Sequence, residues 1–277
     1  MDWYSFELTD TRRIWAMLGD LPSNFRLSLY GACGAAPLAV SQRSGKTFEE
    51  IWKELPAGKY RLRVGRQPMA ATSSTPYRIR FVAYGPGLHV VGTRWWRGPT
   101  GNRKVVGELL NNTERGHLHP SVKLSFYDRN DTLVGSYTGW PHLVWLGVGG
   151  RTSFMWRGSA PSSAVRYTFT AVEGSPDDAW SAPWLRVHSV RRTAQEPTVS
   201  FVGKVTNEHA RDVEDARVQV TAYTARGAIH DTAFAWPDEN PIRAGATTGW
   251  FGADLNGSPS ALHFVRYLGQ ADGAIYR

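Results

Sequence analysis

The run VVGELLNNT at residues 105–113 recurs as FVGKVTNEH at residues 201–209, aligned without a gap at an offset of 96 residues. Gly107 falls on Gly203 and Asn111 on Asn207. The same offset carries Val122, Leu124 and Tyr127 onto Val218, Val220 and Tyr223, and Leu133 onto Ile229. LHVVGTRWW (88–96) matches LRVHSVRRT (185–193), and AVRYTF (164–169) matches ALHFVR (261–266), both at an offset of 97. A register held over most of a domain length identifies two tandem copies of one unit. They occupy 86–172 and 184–277. Between them EGSPDDAWSAP (173–183), rich in small, turn-forming and acidic residues, reads as a linker.

Each copy reads as antiparallel strands. Val105-Val106-Gly107-Glu108-Leu109 enters as a strand and Asn111-Asn112-Thr113 turns it. From Ser121 to Tyr127 the alternation sends Val122, Leu124 and Phe126 to one face and Lys123, Ser125 and Tyr127 to the other. Arg129-Asn130-Asp131 follows as a tight hairpin turn, because Asn and Asp tolerate left-handed backbone. The first 84 residues have the same grammar: WYSFEL (3–8), FRLSLY (25–30), KYRLRV (59–64) and YRIRFV (77–82) are separated by Gly, Pro, Asn and Ser. One segment is ambiguous. TFEEIWKEL (47–55) sets Phe48, Ile51, Trp52 and Leu55 on one face of a two-turn helix, and also alternates as a strand before a Pro56–Gly58 turn. The fold class expected is all-β, three consecutive sandwiches: a jelly-roll-like one over 1–84, then two immunoglobulin-like ones.

The chain has 277 residues, 42% of them hydrophobic, enough to bury a core in each sandwich. No run approaches the roughly 20 consecutive apolar residues of a membrane helix, so membrane insertion is not expected. MDWYSFELTD at the N-terminus lacks the basic and then apolar regions of a signal peptide. The single cysteine, Cys33, excludes an internal disulfide and a multi-cysteine metal site. The net charge of +8 raises the question of an anionic partner. The basic residues, 26 Arg and 6 Lys, are scattered along the chain. Pairs at alternate positions, Arg61 with Arg63 and Arg78 with Arg80, read as solvent faces of strands rather than a nucleic-acid groove. Twelve tryptophans divide between sandwich cores and stacking surfaces, in a ratio that composition leaves open.

On VVGELLNNT and SVKLSFYDRNDTLVG, the repeat resembles the FxLYD family of small immunoglobulin-like bacterial domains. The family's signature tyrosine and aspartate would be Tyr127 and Asp128; the second copy, VQVTAYTARGAIH, keeps Tyr223 and has Thr224 in place of the aspartate. Residues 2–84 resemble a different module, the bacterial pre-peptidase C-terminal (PPC) domain. The match is carried by Asp2-Trp3-Tyr4-Ser5-Phe6, by Leu21-Pro22 before Phe25 to Tyr30, by the run Leu55 to Val64, and by Pro76-Tyr77-Arg78-Ile79. That resemblance implies a jelly-roll-like sandwich of the kind appended to secreted peptidases and other extracellular enzymes. It also implies another strand or two ahead of Asp2, so the first sandwich is expected to lack N-terminal strands. A truncated gene, a processed form or a strand donated by another chain would each account for that.

Catalytic patterns are missing from the sequence: it has no G-x-S-x-G, HExxH, CxxC, P-loop or GxGxxG. Cys33, in GACGAAP, has no neighbouring His to activate it. His117 and His119 would share a face in an extended segment, but with no acid at ligand spacing they make a poor zinc site, and a solvent-facing loop before Pro120 is the plainer reading. Asp177-Asp178 and Asp238-Glu239-Asn240 offer oxygens to calcium without the alternate-position rhythm of a calcium loop. No cofactor and no enzymatic activity are expected. The binding candidate is GTRWWRGPTGNRK (92–104), where Trp95 and Trp96 lie between Arg94 and Arg97. Adjacent residues of a strand face opposite ways, so either one tryptophan is exposed to a partner, or one fills the sandwich core and the other packs against the neighbouring domain. Trp140, Trp145 and Trp156 in the first copy and Trp236 and Trp250 in the second are further aromatics, and Trp180 and Trp184 are expected to wedge the repeats together.

The function expected is a non-catalytic bacterial protein of the extracellular space or cell surface that binds, adheres or assembles. Its partner would be a polysaccharide, the cell wall or a surface protein, and not nucleic acid. Two narrower readings stand beside it. One is a carbohydrate- or cell-wall-binding accessory region of a secreted hydrolase. The other is a self-associating subunit of an extracellular filament or array that exchanges strands through an open sheet edge.

Overall fold

A computed structural model of the chain describes residues 1–32, 36–67, 75–97, 103–176, 185–195, 198–248, 250–256 and 266–274. Among the described residues every regular element is a β-strand, and no helix is long and apolar enough to cross a membrane. The protein is all-β, built from antiparallel sheets that pair into sandwiches along the chain. It divides into two compact units, Met1–Pro86 with Tyr223–Ala228, and Gly87–Ala222 with Ile229–Arg277.

The first unit contains strands β1 (Asp2–Leu8), β2 (Arg12–Gly19), β3 (Phe25–Gly31), β4 (Ala39–Ser41), β5 (Glu49–Leu55), β6 (Gly58–Arg66) and β7 (Arg78–Tyr84). One sheet runs β1-β6-β3-β4 and the other β5-β2-β7. Their inner faces enclose Ile14, Leu18, Leu27, Leu29, Leu62 and Val64. The ambiguous segment 47–55 is a strand over its last seven residues. It pairs with β2 so that Trp52 lies opposite Trp15, the two rings 5.7 Å apart. Cross-strand pairing of this kind outweighs a two-turn helical period, which is too short to sustain itself. Within this unit the loop 223–228 is anchored where Asp20 N donates to Ala225 O at 3.3 Å. Gly227, at φ +66°, lies so close to Met17 that a Cβ there would collide with its sulfur.

The second unit holds both repeats. The first has β8 (Gly87–Arg97), β9 (Arg103–Asn112), β10 (His117–Leu118), β11 (Ser121–Tyr127), β12 (Leu133–Gly139), β13 (Trp145–Leu146), β14 (Arg151–Gly158), β15 (Arg166–Val172) and β16 (Ser175–Pro176). The second has β17 (Arg186–Gln195), β18 (Thr198–Thr206), β19 (Glu214–Tyr223), β20 (Ile229–Ala235), β21 (Phe251–Asn256) and β22 (Arg266–Ala274). Sheets β14-β9-β8 and β12-β11-β15 recur as β21-β18-β17 and β20-β19-β22.

The side chains explain why the repeat is visible in sequence. Gly107 and Gly203 each lie under a phenylalanine ring, Phe154 and Phe251, that leaves no room for a Cβ. Asn111 is buried and donates to Arg115 O and Leu146 O, at 2.7 and 2.9 Å. Asn207 does the same to Arg211 O and Ile242 O, at 2.8 and 2.9 Å. Each first strand carries a bulge at the same place, at Gly92 (φ +62°) in β8 and at Ser189 (φ +54°) in β17, positions 97 apart. The 129–131 turn is as expected, with Asp131 left-handed at φ +58°. Asp128 Oδ1 ties it by accepting from Asn130 N and Thr132 N at 2.8 and 2.9 Å. In the second copy the same backbone bonds form at Thr224 and Ala228, because Gly227 takes the left-handed position at no steric cost. The aspartate is therefore dispensable to the turn.

Two sequence expectations are corrected. The stretch 173–183 is not all linker, since Ser175–Pro176 pairs with His117–Leu118 as part of the first repeat. His117 and His119 do not share a face: the backbone at His119 is left-handed, φ +51°, so His117 is buried against Thr113 Oγ1 at 2.9 Å while His119 is exposed. Neither the shared zinc face nor the solvent-facing loop survives that kink at His117.

Candidate functional site

The segment singled out in sequence does not form one surface. Strand alternation sends Arg94 and Trp95 opposite ways. Trp95, opposite Val105 of the core, sits edge-on to Tyr167 at 6.0 Å with the Arg103 guanidinium 5.2 Å over its ring. It remains 44% exposed. Arg94, opposite Val106, turns to the outer face and donates to His230 Nδ1 of the second repeat at 2.6 Å. Trp96 and Arg97 continue β8 opposite Lys104 and Arg103, and their side chains lie outside the described residues. Trp180, Trp184, Cys33 and Asp177-Asp178 also lie outside them. Among the described residues no three His, Cys, Asp or Glu side chains converge as metal ligands.

The other tryptophans have separate environments. Trp156 packs against Phe126 and Tyr137 at 5.8 and 5.1 Å. Trp250 lies under Arg191 and Lys204, at 5.2 and 5.0 Å. Trp140 and Trp236, equivalent positions of the repeat, are both exposed, and the Arg217 guanidinium sits 4.8 Å over Trp236.

The polar chemistry of the second unit gathers where the repeats meet. The outer face of β9 and β14 packs on the outer face of β19 and β20, and the polar residues there are almost wholly removed from solvent. Lys104 Nζ donates to Asp231 Oδ1 in a buried ion pair. Gln219 Oε1 accepts from Thr152 Oγ1, Ser153 N and Ser153 Oγ at 2.9–3.0 Å. Ser153 Oγ in turn meets Thr232 Oγ1. Asp272 Oδ2 accepts from Val144 N and Trp145 N at 2.8 and 3.0 Å, while Oδ1 has no hydrogen-bond partner among the described residues. Burial lifts the Asp272 carboxyl to about 7 despite those two bonds and the charge of Arg217. His142, stacked on Phe234 at 5.3 Å, is pushed down to about 4, first by burial and then by the charge of Lys104. Burial also lowers Lys104 and raises Asp231, and their mutual attraction opposes both.

In the first unit a second concentration of charge lies on the outer face of the four-stranded sheet. Register places Trp3 opposite Arg63 and Ser5 opposite Arg61 on one side of β6, and Ser28 and Tyr30 opposite the same arginines on the other. Trp3 is 46% exposed, with Arg61 and Arg63 5.2 and 5.6 Å over its ring and Tyr30 5.2 Å away. Arg61 and Arg63, expected on a solvated strand face, are half-buried there. The alternation KYRLRV was the available signal, but the strands that flank it come from residues far apart in the chain.

No family model matches the chain, and no curated protein matches it. Among solved structures, it is similar to dimeric latent PorU from Porphyromonas gingivalis at 11% identity and a TM-score of 0.23, covering 96% of this chain and 29% of that one.

Proposed function

We propose that this chain is a non-catalytic binding and assembly module that works outside the cell, built from a PPC-like sandwich and two FxLYD-like repeats. The observation that carries this reading is the fate of the titratable side chains. Perturbed acids and bases ordinarily mark a cleft where substrate is handled. Here Lys104, His142, Asp231 and Asp272 are perturbed because two sheets close on them, and a group sealed in a joint meets no substrate. A joint of this kind holds the two repeats as one piece, which suits a protein that presents surfaces. The test is a panel of peptide, ester and glycan substrates offered to the purified chain. No turnover is expected, and turnover abolished by a single substitution would overturn the reading.

A second reading, assembly by strand exchange, is favoured by β1. It ends its sheet, pairing among the described residues with β6 alone, and five of its seven residues are exposed. An edge of this kind accepts a strand from another chain. Native mass measurement over a concentration series tests it. Reversible oligomers are expected, and a chain that stays monomeric at every concentration counts against it.

A further inference from the structure

The outer face of the β1-β6-β3-β4 sheet carries its cations in a line. Along β6, Lys59, Arg61 and Arg63 occupy alternate positions on that face. Where the next alternate position would continue the row stands Gly65, and Arg26 from β3 lies across it, its Nε 3.9 Å from where a Cβ would be. Gly65 thus lets a neighbouring strand supply the fourth charge. Six residues of strand separate the first position from the last, so the track is about 20 Å long, with cations spaced about 7 Å apart.

Among the described residues no ion pair joins Arg26, Arg61 or Arg63 to a carboxylate. The Nε atom of each is shielded from water with no hydrogen-bond partner among the described residues. Glu7, opposite Lys59, is the one carboxylate that register places on this face among the described residues. Trp3 of β1 and Tyr30 of β3 reach over the row from its two sides until their rings lie 5.2 Å apart, and beyond them, toward Lys59, a shallow groove of about 510 Å³ opens, lined by Ser5, Glu7, Lys59 and Arg61 together with Phe6 and Tyr60.

From this arrangement we infer that the face is a binding site for a linear acidic polysaccharide bearing carboxylates. This rests on reading the chain as a binding module and names the ligand of that module. A guanidinium fork matches a carboxylate bidentately. Evenly spaced cations fit a polymer with repeating charge, and the part of the Trp3 indole left exposed beside Arg61, Arg63 and Tyr30 offers apolar contact to a sugar ring. Nucleic acid fits less well: single strands are held by successive stacked aromatics, and this track has one exposed indole at its edge.

The test uses the full chain and titrates three probes by calorimetry at several salt concentrations: a polyuronate, its methyl-esterified neutral form, and a single-stranded oligonucleotide of matched charge. The polyuronate is expected to bind, with affinity falling as salt rises. Arg61→Gln with Arg63→Gln is expected to weaken it about tenfold or more. Arg78→Gln with Arg80→Gln, which removes the same charge from the other sheet, is expected to change it about twofold or less. Trp3→Ala, with an unchanged melting temperature, provides an independent variant and is expected to weaken binding as well. Equal losses from both arginine pairs, equal affinity for the oligonucleotide, or no polyuronate binding would overturn the site. Binding of some other glycan unaffected by these variants would overturn the site and leave the binding-module reading standing. Cleavage of the polyuronate would overturn that reading instead.

Discussion

The two repeats share a fold and an internal hydrogen-bond skeleton, yet the same sheet face has opposite fates in them. In the first repeat the outer face of β11 and β12 is wet: Leu133 is 51% exposed, and Lys123 points to solvent. In the second, Ile229 and Gln219 stand at the equivalent positions, 1% and 0% exposed. Gly135 and Ser136 become Asp231 and Thr232, both buried. The difference teaches where selection on a duplicated domain acts. The inner face and the turns are fixed by packing within one copy, so both copies keep them. The outer face is set by what covers it, and only the second copy's is covered, by the β14-β9-β8 sheet of the first.

The largest effect that can break this comparison is in the joint. Asp231→Ala leaves the Lys104 ammonium buried without its carboxylate and is expected to cost about 3–5 kcal/mol in urea denaturation. Replacing both partners, Lys104→Met with Asp231→Leu, is expected to be close to neutral, because the desolvation of two charges is removed along with their attraction. If the single and double variants are equally destabilised, the pair is not what holds the joint.

The pH dependence comes next. Asp272 is held at about 7, above its unperturbed 3.8, so the folded chain binds that proton more tightly than the unfolded chain. Its contribution is complete below about pH 4 and is lost as pH rises through 7. His142, held at about 4 against 6.5, contributes above about pH 6.5 and loses that as pH falls towards 4. Between pH 4 and 6.5 the slopes oppose, each about 1.4 kcal/mol per pH unit. The native chain is expected to be nearly flat there. Asp272→Asn is expected to give a stability that rises with pH, and His142→Gln one that falls. Urea midpoints across the window read this directly, and parallel slopes in all three proteins would rule it out.

A smaller and symmetric effect is expected inside the copies. Asn111→Ala and Asn207→Ala each leave buried loop carbonyls unpaired and are expected to cost about 1–3 kcal/mol apiece, by similar amounts. A large inequality would mean the skeletons are not equivalent. A contrast between the two faces comes last, with the smallest effect of all at Lys123. Gln219→Ala is expected to cost about 1–3 kcal/mol by stranding Thr152 and Ser153 donors, while Lys123→Ala stays within about 0.5 kcal/mol. Thermal or urea denaturation of the two variants side by side decides whether only one face is load-carrying.

Much of the fold was legible because its signals are local or periodic. Alternation from Ser121 to Tyr127 set which residues face the core. Asn130-Asp131 announced the turn, and the 96-residue register announced the repeat. The 97-residue register upstream was equally readable, though the bulge that both copies share at Gly92 and Ser189 was not. Segment 47–55 stayed ambiguous because only its partner strand β2 decides it. The expected site at 94–97 mixed residues from two faces: alternation separates Arg94 from Trp95, and what each face meets depends on β20 and β15.

By itself, then, the sequence determined the strand class, the inner faces, the turns and the duplication, since each follows from sterics and hydrophobic patterning over a few neighbouring residues. Only the tertiary structure decided that Lys104 meets Asp231, 127 positions away, and that Arg26 joins Arg61 and Arg63 beside Trp3. The physical reason is the same in both cases. A strand's outer face carries no local instruction about its neighbour, and its chemistry takes meaning from whichever strand or sheet is laid against it.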